Sequence, residues 1–188
     1  MGHWKGFVVA LAALVFGTAA FAQEGAPAVR HLYAGFGFGQ AQWRPGCPSN
    51  VPNCDDTNPG LRAFAGYQLN RIFSAEAAFG NYGKATGPNA DIKGHGWEAS
   101  GLAAWPVWRE VSVFARLGIY RGVVKGGGQF AGHTETNYGA TYGLGVQADF
   151  TRNIAARLEW QMFPGIGGSS IIDNDIQLVT LSALWRFR

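Results

Sequence analysis

The chain has 188 residues, of which 28 are glycine, 47% are hydrophobic and 14% aromatic. Glycine at about twice its ordinary share of roughly 7% can mark disorder, but disorder needs few apolar residues, and here they are abundant and alternate, which implies packed strands and little helix. The net charge of +3 comes from a small excess of Lys and Arg with no basic run, which excludes a nucleic-acid partner.

The first predicted element is an address. Met1 to Lys5 forms a short positive n-region, Gly6 to Phe16 an apolar h-region, and Ala20-Phe21-Ala22 an A-x-A cleavage site. The apolar stretch is shorter than the ~20 residues a spanning helix needs. A cleaved signal peptide over residues 1–22 and one domain over residues 23–188 are therefore expected. No Cys stands at the cleavage site, so lipid anchoring is not expected.

Period-two alternation then predicts strands over residues 31–43, 61–69, 72–83, 96–107, 111–124, 137–150, 153–163 and 176–187. Each nears or exceeds the ~9–11 residues that carry a tilted strand across a bilayer. In the sixth, Tyr138, Ala140, Tyr142, Leu144, Val146 and Ala148 share one face, against Asn137, Gly139, Thr141, Gly143, Gly145 and Gln147. The seventh and eighth repeat the pattern, with Ile154, Leu158 and Trp160, and Val179, Leu181 and Trp185, on their apolar rows.

Two barrels share this pattern and differ in its sign. A soluble lipocalin-like barrel turns its apolar rows inward, whereas a membrane barrel turns them to lipid and keeps small or polar residues inside. The polar rows here are rich in glycine, which suits a narrow interior better than a solvated exterior. Trp105, Trp160 and Trp185 stand near strand ends, where aromatic girdles sit. The expected fold is all-β, an eight-stranded antiparallel up-and-down transmembrane β-barrel.

The connections follow a rhythm. Asn70-Arg71, Trp108-Arg109-Glu110 and Thr151-Arg152-Asn153 are tight, whereas 44–60, 84–95, 125–136 and 164–175 are long. In outer-membrane barrels tight turns face the periplasm and long loops face outside. An even strand number closes the sheet, as lipid requires, because edge backbone groups cannot be hydrated there. The first long loop contains Cys47 and Cys54, the two cysteines of the chain. An even count in an exported protein reads as a disulfide; Asp55 and Asp56 lack a nearby His, so no metal site is expected. Gly126-Gly127-Gly128 and Gly167-Gly168 read as loop segments, since neither leads from a strand into a helix as a phosphate cradle would.

Several stretches carry a family resemblance. They are Tyr33-Ala-Gly-Phe-Gly-Phe-Gly39, Phe64-Ala-Gly-Tyr-Gln68 with Leu69-Asn70, Ala75-Glu76, Phe114-Ala-Arg-Leu-Gly118, Tyr142-Gly-Leu-Gly-Val146, Ala156-Arg-Leu-Glu-Trp-Gln161 and Leu184-Trp-Arg-Phe187. By their order and spacing, the chain resembles the transmembrane barrel domain of the outer-membrane protein A superfamily and its short porin-family relatives. The resemblance implies an inward acidic and basic network that blocks or gates the lumen, carried here by Glu76, Arg116, Arg157 and Glu159. It departs from the family where Leu102 and Gln147 replace a further Lys/Glu pair, and where Phe187 is penultimate rather than terminal. The sequence ends at Arg188, so no peptidoglycan-binding domain is expected. Outer-membrane lipid, lipopolysaccharide and the barrel-assembly machinery are the expected partners, with an extracellular ligand at the loops.

Alternation alone places Glu76, Glu98, Arg116, Arg157, Glu159 and Arg186 inside, with Arg62 and Asp149 nearer the rims. An eight-stranded barrel is wide enough only for its own side chains, and buried charges are costly unless paired. A lipid A-modifying enzyme would need a nucleophile and base in mutual reach. His31, His95 and His133 are scattered, and Ser74, Ser100, Ser112 and Ser182 have no evident His neighbour. No enzyme activity, cofactor or metal is expected. The leading reading is a structural or surface-interaction barrel; the alternative is a small ion or solute channel.

Overall fold

The computed structural model describes residues 30–44, 57–86, 90–128, 133–166 and 175–187. The expected signal peptide, Cys47, Cys54 and Gly167-Gly168 lie outside these residues. Eight strands follow in chain order: β1 (His31–Arg44), β2 (Thr57–Gln68), β3 (Phe73–Thr86), β4 (Ala90–Pro106), β5 (Val111–Gly128), β6 (Thr134–Asp149), β7 (Ile154–Phe163) and β8 (Asp175–Phe187). Each pairs antiparallel with its neighbour, and β1 pairs with β8, so the sheet is a closed barrel.

The tight turns carry their own chemistry. The Asn70 side chain accepts from the backbone N–H groups of Ile72 and Phe73, at 2.8 and 2.7 Å. Thr151 Oγ1 does the same for Asn153 and Ile154, at 3.3 and 3.0 Å. Both are side-chain mimics of a backbone turn, which short polar residues favour.

At the opposite end the hairpins run further than the sequence reading predicts. β2 begins at Thr57 rather than 61, β4 at Ala90 rather than 96, and β5 continues to Gly128 rather than 124. Gly126, Gly127 and Gly128 are not loop; they pair with Ile92, Asp91 and Ala90. Glycine and proline read locally as breakers, but a facing strand supplies the ladder that holds them extended. A β-bulge interrupts the β3–β4 ladder between Asn81 and Lys84, with Gly83 at φ 72°, the left-handed region in which glycine is unstrained.

The sign of the alternation is that of a membrane barrel. Phe36, Phe38, Leu117, Ile119, Leu144 and Leu181 point outward and are exposed, while Arg62, Glu76, Arg116 and Glu159 are buried inside. Many inward glycines are there for size. A Cβ on Gly35 would lie 2.3 Å from the Phe64 ring, and one on Gly66 2.3 Å from Tyr33. Gly145 makes the same room for Phe114. Large side chains thus cross a narrow lumen over strand positions that have no side chain of their own.

Candidate functional site: a lumen filled at three levels

The middle level is ionic. Inward positions on four neighbouring strands and on β7 supply it: Arg62 on β2, Glu76 on β3, Glu98 on β4 and Arg116 on β5, with Arg157 and Glu159 arriving from β7. Arg62 Nη2 donates to Glu76 Oε1 at 2.8 Å and also to Glu98, while its Nη1 lies 3.4 Å from Glu159 Oε2. Arg116 reaches Glu76 at 2.5 Å and Glu98 at 3.2 Å, and its Nε donates to Glu159. Arg157 Nη1 donates to Glu76 Oε2 at 2.7 Å. Three guanidiniums therefore meet three carboxylates, and the formal charges cancel.

Neutral groups complete the layer. Gln161 donates to Glu98 at 2.6 Å and to Thr141 at 3.0 Å, and Arg116 donates to Ser100 at 2.5 Å. Arg157 is cushioned by rings, with its guanidinium carbon 4.9 Å from the Phe114 centroid and 5.0 Å from that of Phe64. Stacking on aromatic faces is a further favourable environment for a buried guanidinium.

The structure thus joins Glu76, Arg116, Arg157 and Glu159 in one connected cluster. It also brings in two residues outside that set. Glu98 is among the residues that alternation places inside, and the structure adds it to the cluster. Arg62 is a correction: expected near a rim, it lies in the middle of the lumen and is about 1% exposed. The reason is length, because β2 starts four residues earlier than the reading has it, which moves position 62 away from the strand end. Gln147, where the resemblance leads one to expect a charge, accepts from Arg157 Nη2 at 3.1 Å, and Leu102 is buried.

Towards the long-connection end the lumen becomes apolar, which the sequence reading does not anticipate. Trp43, Tyr82, Tyr120, Val124, Phe163, Ile166, Ile176 and Leu178 form one buried cluster. Phe163 sits at its centre, 5.0 Å from the Tyr82 ring and 5.5 Å from that of Tyr120. The turn after β7 folds inward to contribute. Tyr120 OH donates to the Pro164 carbonyl at 2.5 Å, Asn137 to the Ile166 carbonyl at 3.2 Å, and Asp175 accepts from the Gly165 N–H at 2.8 Å. Ile166 lies over Gly122, where a Cβ would come within 2.5 Å of it.

At the tight-turn end Tyr33, Phe64, Ala78, Ala155 and Leu184 form a second apolar cluster. Beyond it opens a polar vestibule of about 370 Å³ whose lining includes His31, Gln68, Arg71, Asp149 and Arg186. Arg186 donates to Asp149 there at 2.5 Å. His31 lines this mouth, His95 stands on β4, and His133 precedes β6, so the three histidines are not brought together. Among the described residues, no group of three or more His, Cys, Asp or Glu side chains could hold a metal.

The geometry can be set beside known proteins. Residues 27–188 match the OmpA-like transmembrane domain. The chain is 29% identical to outer membrane protein A of Shigella flexneri over 197 residues, covering 97% of this chain and 56% of that protein. The same protein of Yersinia pseudotuberculosis is also 29% identical, over 97% of this chain and 56% of its own length. The chain therefore spans about half the length of the curated relatives it matches. Among solved structures, Neisserial surface protein A superposes with a TM-score of 0.62 at 18% identity, covering 83% of this chain and 97% of that one. Ail of Yersinia pestis, solved in complex with the heparin analogue sucrose octasulfate, gives 0.56 at 16% identity, covering 84% and 99%. These two likenesses are of fold. The family match spans every described strand, and with the outward apolar face and closed sheet it places the chain in the OmpA-like transmembrane domain family, as a small β-barrel of the bacterial outer membrane.

Proposed function

We propose that this barrel is a non-conducting wall element that presents its four long connections to the exterior as an interaction surface. The observation that carries the reading is the filled lumen. An ionic layer is capped on both sides by apolar clusters whose members are all under 5% exposed. An ion crossing it would have to displace buried charged side chains that are solvated by one another and by the polar groups and rings around them. Incorporation of the purified folded protein into planar bilayers tests this: current at background supports it, and reproducible conductance steps select the channel reading instead.

The interaction role rests on the length of the connections and on the two-ended architecture. A barrel that closes its lumen and extends β2, β4 and β5 beyond their predicted ends holds its connections on a stiff collar. We further assign Cys47 and Cys54 to a disulfide within the first connection, which two free thiols in the unreduced protein would refute. Residues 1–22 are assigned to a cleaved signal peptide, which N-terminal sequencing of the envelope form checks. Because the Ail structure carries a polysulfated saccharide, sulfated glycans are the first soluble ligands to try on the connections. Binding unaffected by replacing all four connections with short turns would count against the reading.

A further inference from the structure

Towards the long-connection end, β6 is paired on one side only. Its ladder with β5 runs from Ala148 opposite Val111 to Thr134 opposite Lys125, whereas its ladder with β7 stops at Tyr142 opposite Met162. The cause lies in β7. Continuing that register would bring Pro164 opposite Ala140, and proline has no N–H to give to a ladder. Gly165 follows at φ 70°, off the extended path, and Ile166 packs inward over Gly122. Thr141 Oγ1 donates to the Met162 carbonyl at 2.8 Å where the two strands part. Among the described residues, the edge of β6 over residues 134–140 therefore faces no strand.

Such an edge presents a row of backbone N–H and C=O groups, a template for another extended chain. Residues 134–140 hold no lysine, no proline and no bulge, the devices that usually blunt an edge. The β2–β3 ladder also ends early, at Leu61 opposite Asn81, but contact closes that gap: a Cβ on Gly83 would lie 2.7 Å from Asn58 and 2.9 Å from Pro59. The free edge is reachable from water. Tyr138 shares a row with Phe79, Trp97 and Arg121, and aromatic residues of this kind mark the membrane interface, so residues 134–137 lie beyond it. One inward group on the edge lacks a partner. Glu135 faces the same side as Asn137, and its Oε2 is buried and, among the described residues, accepts no hydrogen bond. A desolvated oxygen left without a donor is costly, and a cation placed opposite would remove that cost. The same inward charge disfavours strands that do not match it.

We propose that the free edge of β6 is a peptide-binding site. An extended segment of a partner protein adds a strand along residues 134–140, in the place that β7 leaves, with a Lys or Arg opposite Glu135. Main-chain hydrogen bonds supply the affinity and the paired charge supplies the selection, as in other cases of strand addition. The inference goes beyond the interaction role of the connections, because recognition here is by the backbone of a strand. It stands whether or not the connections bind sulfated glycans.

The test uses the full folded protein in lipid nanodiscs. The probe is a fluorescent Thr/Val-rich heptapeptide amide with one central Lys, its binding read by anisotropy. Its controls are the central-Glu counterpart and the Lys peptide with its backbone nitrogens methylated, which cannot donate to a ladder. We expect the wild type to bind the Lys peptide about tenfold or more tightly than either control, the scale of one charge-assisted hydrogen bond. Bound peptide should also slow hydrogen exchange at those amides of residues 134–140 that β5 leaves unpaired. Glu135→Gln is expected to lose the preference for Lys over Glu while still rejecting the methylated peptide. The three peptides on the wild type decide the matter without relying on that variant. Equal binding of the three by the wild type overturns the proposal, as does a Glu135→Gln protein that keeps the charge preference. Full exchange protection of the same amides in the peptide-free protein also overturns it, since the edge would then be filled by the chain's own connection or a second copy.

Discussion

Arg157 of β7 reaches across the lumen to Glu76 of β3, donating at 2.7 Å between residues 81 apart in sequence. With eight strands in the ring, β3 and β7 are diametrically opposed, so this bond is a strut across the full width of the barrel. Glu76 also accepts from Arg62, Arg116 and the Tyr33 hydroxyl, the last at 3.1 Å. One carboxylate therefore ties together all three guanidiniums of the layer.

Arg157→Ala removes the strut and leaves the carboxylate charge in excess inside a barrel that cannot hydrate it. Breaking a buried pair from one side costs about 3–5 kcal/mol. The temperature at which the folded, faster-migrating gel form is lost should fall sharply, and an unchanged midpoint would refute the account.

Glu76→Gln should cost more than Glu159→Gln. Both leave one uncompensated positive charge, but Glu76 serves three arginines and Glu159 serves Arg62 and Arg116. Denaturant unfolding of the two variants in the same lipid vesicles ranks them directly; the reverse order would show that Glu159 is the hub.

The pair at the mouth behaves differently. Asp149 is 38% exposed in its side chain, so its bond to Arg186 is open to solvent. Exposed pairs are worth about 0–1 kcal/mol. Asp149→Asn is therefore expected to leave unfolding nearly unchanged where Glu76→Gln does not, and a comparable loss would mean the vestibule is as dry as the centre.

Gly66→Ala should destabilise by about 1–3 kcal/mol, the usual cost of overpacking. All three nearest obstacles to the added methyl are atoms of the Tyr33 side chain. Tyr33→Leu/Gly66→Ala should then lose less than the sum of its parts, because the smaller side chain clears the space. Strict additivity in a double-mutant cycle would place the strain elsewhere.

Phe163→Ala/Ile166→Ala opens the apolar level while leaving the ionic level intact. Two barriers in series predict planar-bilayer currents still at background. Conductance steps from this variant alone would identify the apolar cluster as the sole seal.

Much of this protein was legible along the chain. Alternation over residues 138–146 assigns lipid and lumen faces without any partner strand, because a residue's side on an extended backbone depends on parity alone. The tight turns were equally local, since Asn70 and Thr151 bond to backbone groups two or three residues away. Glu76, Glu98, Arg116, Arg157 and Glu159 could all be placed inward by the same parity.

Depth and partnership were not local. Parity says that Arg62 faces in, but how far along the axis it lies depends on where β2 meets β1 and β3, and that register is set by strands the local pattern does not contain. The extension of β5 through Gly126–Gly128 depends on β4 lying alongside. The inward fold of Pro164–Ile166 depends on Gly122, Tyr120 and Asn137, all more than 25 residues away along the chain. Sequence by itself thus determined which side of the wall each strand residue occupies, a property of one extended chain. Which charges meet, and what closes the lumen, was decided only when eight such chains were brought into register around a space too narrow for water to solvate what they enclose.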